Sequence, residues 1–220
     1  MSGRVHPLAG IIAAFARAVS GVQVRWSDGF SETAQQRIYF ANHTSHLDFV
    51  VLWSALPADV RARTRPVAAK DYWESGVKAY LAQNVFRAVL VQRGAAAQAE
   101  SEEEARAAGR ATIEQLAEAL GETDSLILFP EGTRGTGESV APFRSGLFHL
   151  AKRRPDAELV PVYLENLNRI LPKGEFLPVP LISVLTFGAP MLVEESESKE
   201  AFLERARAAV CGLRRGENAQ

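Results

Sequence analysis

Apolar positions in this chain fall into short unbroken runs, separated by longer stretches in which they recur at helical spacing. Runs rich in Val, Ile, Leu and Phe occupy residues 22–26, 37–41, 66–69, 88–92, 125–129, 159–164 and 181–187. Short runs of this kind read as strands, several of them buried on both faces. Helical patterns lie between them at 45–56, 75–86, 97–120, 145–153 and 198–213. The alternation predicts an α/β fold: a single domain with a mixed, largely parallel sheet flanked by helices. In the longest helix, charges lie on one side and Ile113, Leu116 and Leu120 on the other. Its acidic run, Glu102-Glu103-Glu104, reads as a solvated first turn favoured by the helix dipole. No internal repeat and no dividing linker interrupts the pattern.

Ahead of the first strand, Leu8, Ile11, Ile12, Phe15 and Val19 fall at helical spacing, so residues 1–20 form an amphipathic helix before one domain over 21–220. Two readings of that helix are open. It packs its apolar face on its own domain, or it lies in a bilayer interface with Arg4, Arg17 and Arg25 beside it. It does not read as a membrane span, because the uncharged run 5–16 is shorter than the roughly 20 residues a span needs. Nor does it show the cleavage pattern of a secretory signal. A second uncharged run, 176–193, carries Pro178, Pro180, Gly188 and Pro190, which suit buried strands and turns rather than a helix.

Composition narrows the class without naming it. Of 220 residues, 47% are hydrophobic and 23% charged, as in an ordinary globular enzyme. The net charge of -1 offers no basic field for nucleic acid. Cys211 is the sole cysteine, so no disulfide forms within the chain and a reducing compartment is the simpler reading. The four histidines and one cysteine show no metal-ligand spacing, and no metal or resident cofactor is expected.

Two short blocks carry the chemistry. The first is Asn42-His43-Thr44-Ser45-His46-Leu47-Asp48. Five residues correspond to about 140° around an α-helix, so His43 and Asp48 meet only if His43 lies on a loop and Asp48 in the first helical turn. Ser45 is placed to cap that helix, with Asp48 three positions later as in a capping box. Asp48 has two oxygens, one for the cap and one for an imidazole nitrogen, which would fix the tautomer and leave the other nitrogen as base. His46 competes with His43, being closer to Asp48 in sequence. The second block, Phe129-Pro130-Glu131-Gly132-Thr133-Arg134-Gly135, follows a strand, where α/β folds place ligand sites. Gly132 and Gly135 permit tight turns, and Arg134 offers a planar charged fork for phosphate. Glu131 either orients Arg134 or binds a substrate hydroxyl. The G-x4-G spacing from Gly132 to Gly137 is a decoy: a P-loop needs lysine where Glu138 stands.

Two further blocks are less distinctive. Residues 88–94 end a strand in Arg93-Gly94, with Arg87 as a competing cation. Residues 159–164 form an apolar strand around Pro161 that reads as core or as the wall of an acyl-chain groove.

In this order the four blocks resemble the glycerolipid acyltransferase family, which includes 1-acylglycerol-3-phosphate acyltransferases. The family's NHxxxxD matches Asn42, His43 and Asp48, and its FPEGTR matches residues 129–134. Its hydrophobic stretch ending in arginine matches residues 89–93, and its apolar block with proline matches Val160-Pro161-Val162. The likeness spans about residues 37–190. It differs in lacking a glycine at the head of the second block, and in having Gly135 where serine is common. The resemblance implies His43 as general base and Asp48 as its orienting partner. It also implies acceptor binding by Arg93, Glu131, Gly132, Thr133 and Arg134.

The expected reaction moves a fatty acyl group from acyl-CoA or acyl-carrier protein to the hydroxyl of a lysophospholipid, 1-acylglycerol-3-phosphate first, without an acyl-enzyme. Alternatives are another lyso-lipid or aminolipid acceptor, a hydrolase, or a non-catalytic lipid-binding domain. The expected setting is cytoplasmic, peripheral on the inner face of a membrane. The polar loop 166–175 reads as solvent-exposed or as a headgroup contact.

Overall fold

The apolar runs pair into one seven-stranded sheet. A computed structural model of the chain describes residues 6–27, 36–45, 47–92, 94, 98–167 and 182–214. Its strands are β1 (Gln23–Trp26), β2 (Arg37–Ala41), β3 (Thr64–Ala69), β4 (Val89–Val91), β5 (Ser125–Leu128), β6 (Glu158–Glu165) and β7 (Val184–Phe187). They lie in the order β1-β7-β6-β2-β5-β3-β4. Strands β6, β2, β5, β3 and β4 run parallel; β7 runs antiparallel to β6, and β1 runs parallel to β7. The sheet is therefore mixed and largely parallel, as expected. All residues of β2 and β5 are buried, which is the continuous apolar pattern of central parallel strands covered on both faces.

Helices cover each face. On one lie α1 (Pro7–Ser20), α2 (Asp48–Ala55), α4 (Lys70–Trp73) and α5 (Gly76–Tyr80), the last running into a π-helical turn at Leu81–Val85. On the other lie α6 (Glu102–Leu120), α7 (Gly146–Arg153) and the last described helix, α8 (Lys199–Cys211). The remaining helix, α3 (Ala58–Arg63), joins α2 to β3. Core side chains divide accordingly. Tyr39, Ile127, Val160 and Val162 face α1 and α2, while Ile38, Phe40, Leu126 and Leu159 face α6, α7 and α8. That split is the period-two alternation of side chains along each strand.

Several boundaries move relative to the sequence pattern. The third helix pattern begins at Glu102 rather than residue 97, because Ser101 caps it, its Oγ accepting the Glu104 N–H at 3.2 Å. Helices α3 and α4 fall where the sequence pattern assigns no element, being too short for periodicity to show. The strand expected over 181–187 starts at Val184, Leu181 lying outside the described residues. The apolar stripe of α1 divides: Ile12 packs against the core and Val19 is half-buried, while its other members face away. Ala9 and Ala13 are buried against α2, while Leu8, Ile11 and Phe15 are 38%, 65% and 68% exposed. Alanines four residues apart let the two helices approach closely, which leaves the larger side chains one face away. No helix among the described residues is long and apolar enough to cross a membrane.

Candidate active site

Strands β2 and β5 are neighbours at the centre of the sheet, and the segments leaving their C-terminal ends carry the two chemical blocks. This is the edge where parallel α/β sheets leave a crevice for ligands.

The first segment is pinned at its start by Asn42. Its side-chain amide donates to the Leu164 carbonyl at 3.0 Å and accepts the Leu164 N–H at 2.7 Å. Asn42 thus imitates one more ladder residue beyond the Ala41–Val162 pair. The chain then leaves the sheet, placing His43 on a loop and Asp48 at the first residue of α2. His43 Nδ1 lies 2.8 Å from Asp48 Oδ2. The same oxygen accepts the N–H groups of Thr44 at 2.6 Å and Ser45 at 2.9 Å. The imidazole contact foreseen for Asp48 is present, but the cap is not: the same Oδ2 binds loop N–H groups ahead of the helix, and Oδ1 is buried without a hydrogen-bond partner. Nor does Ser45 cap α2. The helix starts three residues later behind Leu47, and the Ser45 hydroxyl accepts the Leu47 N–H at 3.3 Å.

A fully buried carboxylate on Nδ1 makes that nitrogen the proton-bearing one, so Nε2 presents a lone pair. The imidazole is 23% exposed and stacks on Phe129, with ring centroids 4.4 Å apart and 24° between planes. His46 lies outside the described residues.

The second segment folds back under the first. Glu131 is buried, its Oε1 accepting the His43 backbone N–H at 2.7 Å and its Oε2 the Ala141 N–H at 2.8 Å. Gly135 N–H donates to the His43 carbonyl at 2.8 Å. Glu131 therefore grips the histidine's own backbone, and neither of its oxygens holds Arg134. Burial pushes its carboxyl up from the ordinary glutamate value, as does the neighbouring Asp48 carboxylate; the Ala141 and His43 N–H groups and the His43 imidazole pull the other way.

Thr133 and Arg134 are exposed on the turn. Gly132 has φ +74°, a left-handed conformation that favours glycine, and a Cβ there would run into the Arg144 side chain. Arg93 lies outside the described residues. Its competitor Arg87 precedes β4 at the opposite edge, where it donates to Asp124 at 2.7 Å and to the Ala62 carbonyl at 3.0 Å. Residues 159–164 are buried within β6 and are core.

The family model for acyltransferases matches residues 22–165, which spans both segments. The chain belongs to the acyltransferase family. It is 30% identical over 156 residues to a 1-acyl-sn-glycerol-3-phosphate acyltransferase of Limnanthes douglasii, covering 70% of this chain and 50% of that protein. It is 28% identical over 158 residues to the mouse 1-acyl-sn-glycerol-3-phosphate acyltransferase alpha, covering 70% and 48%. The chain thus spans about half the length of the curated relatives it matches. The crystal structure of the 1-acyl-sn-glycerophosphate (LPA) acyltransferase PlsC from Thermotoga maritima shares the fold, with a TM-score of 0.67 and 19% identity over 94% of this chain and 78% of that one.

Within this candidate site the structure gives parts to residues to which the sequence reading assigned none. Asn42 is one, and its position directly after a strand was the available signal. Ala141 and Arg144 are others, placed by an irregular segment that wraps back on the Glu131 turn. Lys70 follows the C-terminal end of β3, beside β5. It lines a cleft of about 300 Å³ with Asp71, Glu74, Gln92 and Gln98, and His43, Asp48, Glu131 and Arg134 are not among that lining.

Proposed function

We propose that this protein transfers a fatty acyl group from a thioester, acyl-CoA or acyl-carrier protein, to the free hydroxyl of a lysophospholipid, with 1-acylglycerol-3-phosphate as acceptor. The observation that carries the reading is His43, with Nδ1 on buried Asp48 and Nε2 left free at the edge of the sheet. His43 Nε2 takes the hydroxyl proton as that oxygen attacks the thioester carbonyl. The carbon–sulfur bond then breaks, and the imidazolium returns its proton to the departing sulfur, giving ester and free thiol. Asp48 stabilises the transient imidazolium, the role of the aspartate in a serine–histidine–aspartate triad, with the acceptor hydroxyl in place of the serine. Such a base contributes about 10²–10⁴-fold.

Arg134 and Arg93 fit the acceptor phosphate as charged donors, and Thr133 lies on the same turn as Arg134. The names of its relatives, 1-acyl-sn-glycerol-3-phosphate acyltransferases, support the acceptor. The outward Leu8, Ile11 and Phe15 of α1, with exposed Tyr72, Val77 and Tyr80, support a peripheral seat on a membrane surface.

The test is release of free thiol from acyl-CoA by the purified protein, with and without lysophosphatidic acid, beside His43→Ala. Release that depends on acceptor and vanishes in the variant is expected. Release without acceptor would mean a thioesterase. Silence with acyl-CoA, acyl-carrier protein and several lyso-lipids would sink the enzymatic reading.

A further inference from the structure

The Glu131 turn carries a second cation. The Arg144 backbone N–H donates to the Pro130 carbonyl at 2.9 Å, and its Nε donates to the Glu131 carbonyl at 3.3 Å. Its guanidinium lies directly over Gly132, where any larger residue would put a Cβ into it. That explains why the turn needs glycine twice over: for its positive φ, and to leave room for the arginine. Arg134 is two residues further along the same turn, next to the Gly135 N–H that holds the His43 carbonyl. Both arginines are exposed, and no ion pair among the described residues involves either. Two uncompensated guanidiniums on one turn, one of them fixed at its Nε so that its terminal nitrogens stay free, match a doubly charged anion.

The geometry points to Arg144 as a second ligand of the acceptor's headgroup, pairing with Arg134 to select a dianionic phosphomonoester over a singly charged phosphodiester or a neutral hydroxyl headgroup. This deepens the acceptor reading above and rests on it. A phosphomonoester loses its second proton near pH 6, so its charge, and its match to two arginines, grows across that range.

The experiment is steady-state transfer from saturating acyl-CoA by the full chain, wild type against Arg144→Gln and Arg144→Lys. Lysophosphatidic acid is compared with lysophosphatidylglycerol, each between pH 5 and 8. Losing a hydrogen bond to a charged partner should raise the KM for lysophosphatidic acid by about 10–100-fold in Arg144→Gln. The KM for lysophosphatidylglycerol should move by less than about threefold, with partial rescue in the lysine variant. Wild-type KM for lysophosphatidic acid should fall as pH rises through 6, and the glutamine variant should flatten that fall. An equal rise for both acceptors, an unchanged pH profile, or a fall in kcat with both KM values unchanged would overturn the assignment. If wild type acylates neither lipid, the acceptor reading itself fails; if it acylates both and Arg144→Gln changes nothing, only this inference does.

Discussion

Glu131 Oε1 accepts the backbone N–H of His43 at 2.7 Å, joining two segments that are 88 residues apart in sequence. The carboxylate's other oxygen is taken by Ala141, so a single buried side chain fixes the base's loop against the turn that carries Arg134. Glutamine at 131 keeps the shape but turns an amide NH₂ toward one of two N–H donors, leaving that donor unpaired at a cost of about 1–3 kcal/mol. Glu131→Gln should therefore lower kcat by about 10–100-fold through misplacement of His43, with acceptor KM nearly unchanged. Steady-state kinetics checks this; a rise in acceptor KM at constant kcat would assign Glu131 to substrate instead.

The same burial gives a sign for pH dependence. With its folded carboxyl above the ordinary glutamate value, Glu131 binds more protons in the folded than in the unfolded state across the interval between the two. Stability from this group therefore falls as pH rises through that interval, upward from the ordinary glutamate value. Denaturant unfolding of wild type and Glu131→Gln over pH 4 to 7 should show the wild type losing ground to the variant as pH rises. A difference that grows in favour of wild type would mean that the two N–H donors outweigh burial.

Asp48 tests the charge separately from the hydrogen bonds. Asparagine can offer one oxygen to the Thr44 and Ser45 N–H groups while its NH₂ occupies the place of unpartnered Oδ1. The fold should survive, but the charge that stabilises the imidazolium is gone. By analogy with a triad aspartate, kcat should fall about 10³–10⁴-fold. Circular dichroism should remain that of wild type; loss of folded signal would show the carboxylate to be structural first.

What the sequence displayed and what it hid divide along locality. The strands were legible because buried central strands are written as continuous apolar runs, and the His43–Asp48 contact because a loop followed by a helix start is a local pattern. The true start of α2 at Asp48 was hidden, since Ser45 satisfies every local criterion for a cap while its hydroxyl serves the Leu47 N–H instead. Helix α3 left only Pro57 as a sign, six residues being too few for a period. The grip of Glu131 on His43 and the seat of Arg144 over Gly132 were beyond reach, because each joins segments that only the sheet brings together. The direction of α1's apolar face was likewise decided by a partner helix.

Gly132 should tolerate alanine poorly for two separable reasons. A non-glycine residue at φ +74° costs about 1–2 kcal/mol, and the new methyl displaces the Arg144 side chain. Gly132→Ala is expected to lose more stability than that strain alone in thermal or denaturant unfolding, and to weaken acceptor binding as well. Adding Arg144→Ala would remove the clash but not the backbone strain, so the double variant should recover part of the stability and none of the binding. Full recovery of stability would mean that strain at φ contributes little.

Leu8, Ile11 and Phe15 lie on one outward stripe of α1, spaced three and four residues apart, while Ala9, Ile12 and Ala13 pack inward. The His6 imidazole reaches the Tyr80 hydroxyl at 3.1 Å, so the exposed Tyr80 and the helix start belong to one continuous surface. On the proposed peripheral seat this stripe would lie in the interface of a bilayer. Burying Ile11 and Phe15 in lipid should contribute about 2 kcal/mol each. Ile11→Ser with Phe15→Ser should then bind phosphatidylglycerol-containing vesicles about a thousandfold more weakly in flotation or sedimentation. Acylation of a short-chain, water-dispersed acceptor should remain intact in that variant, because neither residue touches His43 or Asp48. If vesicle binding is unaltered, the stripe does not meet the membrane; if the dispersed acceptor is lost as well, the substitutions have acted through the fold rather than through the surface.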